Sequence, residues 1–182
     1  MLKVKSICCK WNRWHSGLNE KGINMEFRKV DAENIWAIVK LSVQIEQENF
    51  VASNTKSILE AYTTIESDYK AYPFGVYEGE KLVGFIMFGY GFSDEEDAPK
   101  IGNHNYSIWR LMIDKKYQGQ GLGKKAVETA ITFVKTGPYG KADYCWLSYE
   151  PENELARYLY HSLGFEESGE MCEDEIIAVM KL

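Results

Sequence analysis

Residues 108–136 read IWRLMIDKKYQGQGLGKKAVETAITFVKT, an apolar run followed by a polar turn and an amphipathic helix. The apolar run of residues 108–113 has the length of a strand that is buried on both faces. Gly119, Gly121 and Gly123 come just before the helix. Glycines here remove the Cβ atoms that would keep a phosphate from the backbone amides at the positive end of the helix dipole. The stretch therefore predicts an anion-binding strand–loop–helix.

The spacing of the glycines separates this loop from two other phosphate-binding loops. Neither the dinucleotide fingerprint G-x-G-x-x-G nor the triphosphatase loop G-x-x-x-x-G-K-[ST] is present. Residues 118–123 instead follow Q-x-x-G-x-G, after a strand that ends in Ile113-Asp114. The motif alone is also compatible with a helix N-terminus in another α/β fold, so the rest of the chain has to identify the ligand.

Length and composition indicate one globular domain. The chain has 182 residues, of which 26% are charged and 45% hydrophobic, as is ordinary for globular proteins. No apolar run approaches the length of a membrane span, so no membrane association is predicted. The cysteines have no metal-ligand spacing, which predicts no metal site and a reducing, cytoplasmic location. They are Cys8, Cys9, Cys145 and Cys172.

Charge is distributed unevenly along the chain. The formal net charge is −6, but the first 24 residues carry five basic side chains and one acidic side chain, so residues 25–182 alone carry −10. A domain with this charge repels nucleic acid and attracts small cations. We therefore predict a small-molecule partner, with no nucleic acid. A homodimer is compatible with the sequence.

The first 24 residues differ from the rest of the chain. They have neither helical nor strand periodicity, and they lack the apolar core of a secretory signal. We predict that residues 1–24 are a non-catalytic extension and that the domain spans residues 25–182. The alternative is an arm that packs on a neighbouring surface, because Trp11 and Trp14 are costly to leave in water.

Periodicity and turn signals divide the domain into alternating elements. The predicted order is βααβββαβαββ, a single mixed α/β domain. The first helix, capped by Asp31, is predicted over 32–48, and Pro73 is predicted to end the second, over 57–70. An acidic loop covers 93–105. The other predicted elements are strands at 26–30, 74–77, 81–89, 108–113 and 142–149, the helix at 122–136, a helix at 152–163, and a last hairpin running from 164 through 176–180.

A second motif lies near the C-terminus. Residues 153–165, NELARYLYHSLGF, follow N-x-x-A-x-x-L-Y-x-x-x-G-F. Alone this could be an amphipathic helix with Tyr160 in the core. With the loop at 118–123 and the order of elements, residues 25–182 resemble the GNAT superfamily of N-acetyltransferases. The resemblance implies a GNAT-like domain, with a mixed, mostly antiparallel central sheet, flanking helices and splayed central strands. It also implies acetyl-coenzyme A as co-substrate.

The same resemblance implies roles for individual residues. Backbone amides of the loop would bind the pyrophosphate, and the backbone of the strand before it would pair with the pantetheine, with the Leu111 amide donating to the thioester carbonyl. Asn153 would bind the pantetheine arm, and Tyr160 would be the catalytic general acid toward the sulfur. The implied coenzyme-binding set is Leu111, Met112, Ile113, Gln118, Gly119, Gln120, Gly121, Leu122, Gly123, Lys124, Asn153 and Tyr160. Lys124 and Lys125 could equally belong to a solvated helix face.

Substrate and general base are less well defined. Residues 72–77, 82–89 and 109–114 resemble bacterial spermine/spermidine (diamine) acetyltransferases, but Trp109 stands where some of these carry an acidic residue. An indole there offers a cation–π surface instead. We predict that Trp109 and Glu46 contact the substrate. The candidates for the general base are Glu46, Glu48, Glu150 and His104, none of which the sequence selects.

Three functions are compatible with the sequence. The first is transfer of an acetyl group to the primary amine of a polyamine or diamine. The second is acetylation of another amine: an aminoglycoside, an amino acid or a peptide N-terminus. The third is a non-catalytic acyl-coenzyme A-binding module. The presence of both Tyr160 and a complete 118–123 loop disfavours this third function.

Overall fold

A single eight-stranded sheet runs through the protein. The computed structural model describes residues 25–93 and 98–182, and the backbone of 13–15. The strands are β1 (Arg13–His15), β2 (Met25–Lys29), β3 (Lys70–Glu78), β4 (Lys81–Tyr90), β5 (Tyr106–Ile113), β6 (Tyr144–Tyr149), β7 (Glu166–Cys172) and β8 (Glu175–Lys181). The helices are α1 (Ile35–Ile38), α2 (Asn54–Thr63), α3 (Leu122–Lys135) and α4 (Glu154–Ser162). Apart from the backbone of β1, which includes Trp14, the predicted extension 1–24, with Trp11, lies outside the described residues.

The strand order is β1-β2-β3-β4-β5-β6-β8-β7, and every neighbouring pair except one is antiparallel. The exception is β5–β6, which is parallel and pairs only Tyr106 with Cys145 and Ser107 with Trp146. Beyond these residues the two strands continue without pairing to each other. The predicted α/β fold, with a mostly antiparallel sheet that opens at its centre, is confirmed.

Each face of the sheet is covered by its own helices and core. The main core contains the buried side of α3, the inward side of α4 and a cluster of aromatic rings that includes Phe27, Phe88 and Phe133. The opposite face carries a smaller core built from α1, α2 and β4, with Ile38, Phe85 and others. The apolar spacing of α3 was a correct guide to its buried face.

A bulge in β5 changes which side chains face each core. Met87 of β4 lies opposite Arg110, while the next residue, Phe88, lies opposite Ile108, so Trp109 is an extra residue. A bulge shifts the alternation of side chains by one position. Ile108 consequently packs in the main core, whereas Trp109 packs against the smaller core.

The predicted helix over 32–48 is wrong. The α-helix covers only Ile35–Ile38, and a short 3-10 helix follows at Ile45–Gln47. Between them the Ser42 amide donates to Asp114 Oδ2 over 3.1 Å, and the Ser42 carbonyl accepts from the Lys115 amide over 2.8 Å. These contacts with the turn after β5 use backbone groups that a continuing helix would need.

The second predicted helix is displaced. Instead of 57–70 it covers Asn54–Thr63, beginning at Ser53, whose side chain accepts from the Lys56 amide. The Thr64 hydroxyl donates to the Ala61 carbonyl and accepts from the Ala71 amide, so the chain turns here into β3. Pro73 does not end this helix, because it lies within β3 opposite Met87.

The remaining elements agree with the sequence to within a few residues. The β3–β4 hairpin turns at Gly79, where φ is +59°, and α3 ends before Gly137, where φ is +63°. In the acidic loop 93–105, residues 94–97 lie outside the described residues, and Lys100–Gly102 form a 3-10 helix. None of the helices described is long and apolar enough to cross a membrane.

Candidate functional site

The glycine-rich loop has the backbone conformation that its sequence demands. Gly119 and Gly121 have φ of +74° and +75°, a region that residues with a Cβ rarely adopt. Gly121 caps α3, whose first-turn amides have no partners within the helix. A Cβ built on either glycine would meet no atom within 4 Å, so the space outside this helix end is open. The loop therefore fits an anion such as a pyrophosphate.

The side chains of the loop have different environments. Gln118 Nε2 donates to the Ile113 carbonyl over 2.9 Å and to Gln47 Oε1 over 2.8 Å, which ties the loop to β5 and to the short 3-10 helix. Leu122 is buried in the main core. Lys124 is exposed beside the loop, whereas Lys125 Nζ lies 3.8 Å from Glu78. Of the two lysines, Lys124 is therefore the one positioned to meet a phosphate.

The gap between β5 and β6 leads from this loop into the sheet. Leu111, Met112 and Ile113 pair with β4 on one side, while on the other side the described residues provide no strand partner. An extended ligand could pair with such an edge as an additional strand does. The implied pantetheine-binding backbone of β5 is therefore accessible in the structure.

Asn153 has a structural role that the motif does not indicate. It caps α4, because its Oδ1 accepts from the Ala156 amide over 3.1 Å. An Asn just before a helix is a recognisable N-cap in sequence, so this role could have been predicted. Only its Nδ2 remains available to donate to a ligand.

Tyr160, the predicted general acid, packs beside the gap. Its ring contacts Tyr149 of β6, with centroids 5.9 Å apart, and Phe165, at 5.8 Å. The hydroxyl makes no hydrogen bond to the residues described. Burial, together with nearby Cys145 and Tyr149, raises the pKa of Tyr160 above its ordinary value. The side chain is therefore protonated at neutral pH.

A second group of polar and aromatic residues lies on the opposite face of the sheet. Trp109 packs against Tyr69 with centroids 6.2 Å apart, and the Arg110 guanidinium lies 5.8 Å from the centroid of the Trp109 ring. Arg110 Nη2 also contacts Glu60 Oε2 of α2 at 3.4 Å. The Trp109 ring, which could bind a substrate cation, thus already has the Arg110 guanidinium over it.

Glu150 directly follows β6, across the gap from β5, and lies near enough to Arg110 of β5 to be influenced by its charge. Burial is the main cause that raises the pKa of Glu150, and the nearby carboxylates Glu175 and Glu152 add to it. A hydrogen bond from its own backbone amide and the charge of Arg110 oppose the shift. Its Oε2 is buried and accepts no hydrogen bond from the described residues, and Arg110 Nε is likewise buried without an acceptor. In the sequence, Glu150 is only one of four candidate bases, and no motif indicates Arg110, Glu60 or Glu175.

The other predicted bases are less well placed. Glu46 and Glu48 are exposed at the short 3-10 helix, although Glu48 lines a cavity of about 280 Å³ that Met112 of β5 also lines. His104 stacks on Phe92, and its amide donates to the Gly91 carbonyl, so its contacts are away from the gap. In the described part of the chain, no three His, Cys, Asp or Glu side chains are grouped to hold a metal.

Comparison with known proteins adds to this geometry. The sequence pattern of the Acetyltransferase (GNAT) family matches residues 38–165. The spermine/spermidine N(1)-acetyltransferase of Bacillus subtilis (strain 168) is 34% identical over 151 residues, which cover 82% of this chain and 92% of that protein.

Solved structures share the fold. An uncharacterized protein (bh2621) of Bacillus halodurans superposes with a TM-score of 0.74 at 12% identity, over 95% of this chain and 92% of that chain. Aminoglycoside acetyltransferase AAC(6')-Ib in complex with coenzyme A has a TM-score of 0.68 at 15% identity, over 86% and 94%.

Proposed function

Because this chain belongs to the GNAT family of acetyltransferases, we propose that this acetyl-coenzyme A-dependent N-acetyltransferase acts on a primary amine of a polyamine or diamine, such as spermidine or spermine. The observation that carries the proposal is the charge of the face that holds Trp109. Glu60, Glu150 and Glu175 lie there beside two cations, Arg110 and Lys56, which both contact Glu60, so these carboxylates outnumber the cations. Each carboxylate near the site adds electrostatic attraction to the binding of a polycation.

The relative from Bacillus subtilis supports the same substrate class, because its name gives spermine and spermidine as substrates and it aligns over most of this chain. The net charge of −10 on residues 25–182 acts in the same direction over a longer range, since it raises the local concentration of small cations.

The coenzyme supplies an acetyl thioester, and this chain supplies the groups that hold it. The backbone amides of residues 118–124 bind the pyrophosphate, aided by the Lys124 ammonium. The main chain of residues 111–113 pairs with the pantetheine, and the Leu111 amide donates to the thioester carbonyl. Asn153 Nδ2 donates to the pantetheine arm, because its Oδ1 already caps α4.

Tyr160 is the general acid of this proposal. The attack of a neutral amine on the thioester carbon expels a thiolate, which needs a proton. A buried phenol whose pKa is raised remains protonated at neutral pH and can donate. Its unengaged hydroxyl is the group that this role requires.

A second candidate is an amine that also bears a carboxylate, such as an amino acid or a peptide N-terminus. Arg110 favours it, because the buried Nε has no acceptor among the described residues and could bind an anionic group. An aminoglycoside, as a polycation, would meet the same carboxylates as a polyamine does.

A panel assay of coenzyme A release separates these substrates. Acetyl-coenzyme A is supplied with spermine, spermidine, putrescine, an aminoglycoside, free amino acids and a short peptide. We expect the highest kcat/KM for a polyamine, and a fall in that kcat/KM as salt screens the carboxylates. Turnover of the amino acids or the peptide without turnover of any polyamine would overturn the proposal in favour of the second candidate.

A further inference from the structure

We propose that Glu150 is the general base that accepts, on Oε2, the proton of the bound substrate ammonium. The inference rests on the proposed function only for the amine used in its test, because every primary ammonium must lose a proton before it can attack a thioester. The sequence offers several bases, and three structural observations select this one.

The first observation is that Glu150 comes directly after β6. The last residues that pair β5 with β6 are Ser107 and Trp146, so Glu150 lies where the two strands run without pairing. Glu150 also precedes Asn153, which caps α4, the helix that carries Tyr160. The general acid and Glu150 therefore flank one gap, on elements that a short turn connects.

The second observation is the face to which Glu150 is directed. Cys145, Leu147 and Tyr149 pack in the main core, so alternation along the strand directs the intervening residues to the other face. Ser148 obeys this rule, because its hydroxyl donates to Glu175, which also raises the pKa of Glu150. Glu150 is thus on the substrate side of the gap, whereas Tyr160 packs on the side of α4.

The third observation is the state of the Glu150 carboxylate. Its Oε2 is buried and has no hydrogen-bond partner in the described residues, an arrangement that lowers the stability of the fold. An ammonium donor from the substrate would satisfy this oxygen. Glu46 and Glu48, by contrast, are exposed side chains that water already solvates.

The charged groups around Glu150 set how strongly it holds a proton. Burial is the largest cause that raises its pKa, and Glu175 from β8 and Glu152 from the same turn raise it further. Its own backbone amide and Arg110 on β5 lower it. Glu60 neutralises part of the charge of Arg110. The carboxylate is thus a stronger base than an exposed one.

The proton balance of the reaction is complete with these two residues. Glu150 takes one proton from the ammonium, and the amine nitrogen attacks the thioester carbon. The nitrogen then loses a second proton to water as the C–S bond breaks and Tyr160 protonates the sulfur. Water reprotonates Tyr160 and removes the proton from Glu150. The products are the N-acetyl amine, coenzyme A and one released proton.

Glu150→Gln tests the proposal, because it keeps the shape of the side chain and removes the base. We expect kcat/KM at pH 7 to fall by about 10²-fold or more, with coenzyme A affinity unchanged. The deficit should shrink as pH rises toward about 10, where the amine loses its proton in solution. The matched control is Glu154→Gln, an exposed carboxylate in the first turn of α4, which should stay within about twofold of the parent protein at every pH.

Two results would overturn the proposal. One is unchanged kcat/KM for Glu150→Gln at pH 7, and the other is a deficit of constant size from pH 7 to 10, which would indicate substrate binding alone. If Glu150→Gln does not fold, as judged by coenzyme A binding, Glu150→Asp replaces it. The Asp variant should lose at least about tenfold through its shorter reach while keeping the pH profile of the parent protein, and unchanged kcat/KM would count against the base.

Failure of this test is distinct from failure of the proposed substrate. If no polyamine is acetylated but another amine of the panel is, the same variants are compared on that amine. Glu150 then remains under test while the polyamine proposal has been overturned.

Discussion

Tyr149 and Tyr160 stack with their ring centroids 5.9 Å apart and their planes 29° from parallel. The Tyr149 hydroxyl donates to Glu167 Oε1 over 3.0 Å, and Arg157 Nε approaches the same oxygen to 2.8 Å. This carboxylate therefore holds Tyr149 in place, and Tyr149 in turn supports one face of the Tyr160 ring. The direction of the Tyr160 hydroxyl is fixed by packing and not by a hydrogen bond of its own.

Tyr160→Phe should lower turnover by about 10²-fold or more, which is the usual contribution of a general acid. The affinity for acetyl-coenzyme A should be nearly unchanged, because the ring contacts with Tyr149 and Phe165 remain. Steady-state kinetics and calorimetric binding of coenzyme A measure the two effects separately. Unaltered turnover would remove Tyr160 from the mechanism.

Glu167→Gln should destabilise the protein more at neutral pH than in acid. The hydrogen bond from Tyr149, followed by those from His161 and Arg157, lowers the pKa of Glu167. A carboxylate with a lowered pKa contributes stability above its unfolded pKa of about 4.3, and this contribution is lost as pH falls through the lower folded value. Urea unfolding at pH 7 and at about pH 3 measures the difference.

The control for this comparison is Glu166→Gln, an exposed residue of the same strand. Its effect on stability should be small at both pH values. If the cost of Glu167→Gln is the same at the two pH values, the ion pairs of Glu167 do not stabilise the fold.

Gly121→Glu should abolish coenzyme binding, since it combines a Cβ at a φ of +75° with a negative charge beside the predicted pyrophosphate site. Gly169→Glu is the matched control, because Gly169 in β7 has a φ of +82° and equally open surroundings. Calorimetry should detect coenzyme A binding to the control alone. Binding that persists in Gly121→Glu would contradict the predicted phosphate-binding role of the loop.

Arg110→Gln should change substrate preference. Removing this cation takes one positive charge from the surroundings of Glu60 and Glu150, so kcat/KM for a polycation should rise by up to about tenfold, the effect of one unit charge at a partly solvated distance. Amines that bear a carboxylate should become poorer substrates. Competition assays with spermidine against a short peptide measure the ratio, and a shift toward the peptide would be the opposite of this expectation.

The sequence predicted those features that depend on neighbouring residues. The periodicity of α3 and the glycines that begin and end it are local, and the structure confirms them. The helix over 32–48 failed because Ser42 bonds to Asp114, a residue 72 positions away, and no local pattern reveals such a contact.

The candidate site divides in the same way. Tyr160 and Asn153 belong to a motif, and their positions on α4 follow from it. The group formed by Arg110, Glu60 and Glu150 could not be predicted from a motif. It depends on the bulge at Trp109 and on the contact of Glu60 in α2 with Arg110 in β5. Alternation along β5 without the bulge would have directed Arg110 to the same face as Ile108.

Because β5 and β6 pair through only two residues each, the two halves of the sheet are weakly connected by backbone hydrogen bonds. Strands β1–β5 form one half of the sheet and β6–β8 form the other, and only the pairs Tyr106–Cys145 and Ser107–Trp146 join the two halves. Packing around α3 and α4 has to supply the rest of the attachment. A ligand that pairs with both edges becomes part of the fold, and at a concentration of 100 times its Kd it adds about 2.7 kcal/mol to the free energy of unfolding. The resistance of this protein to unfolding is therefore coupled to the coenzyme supply around it.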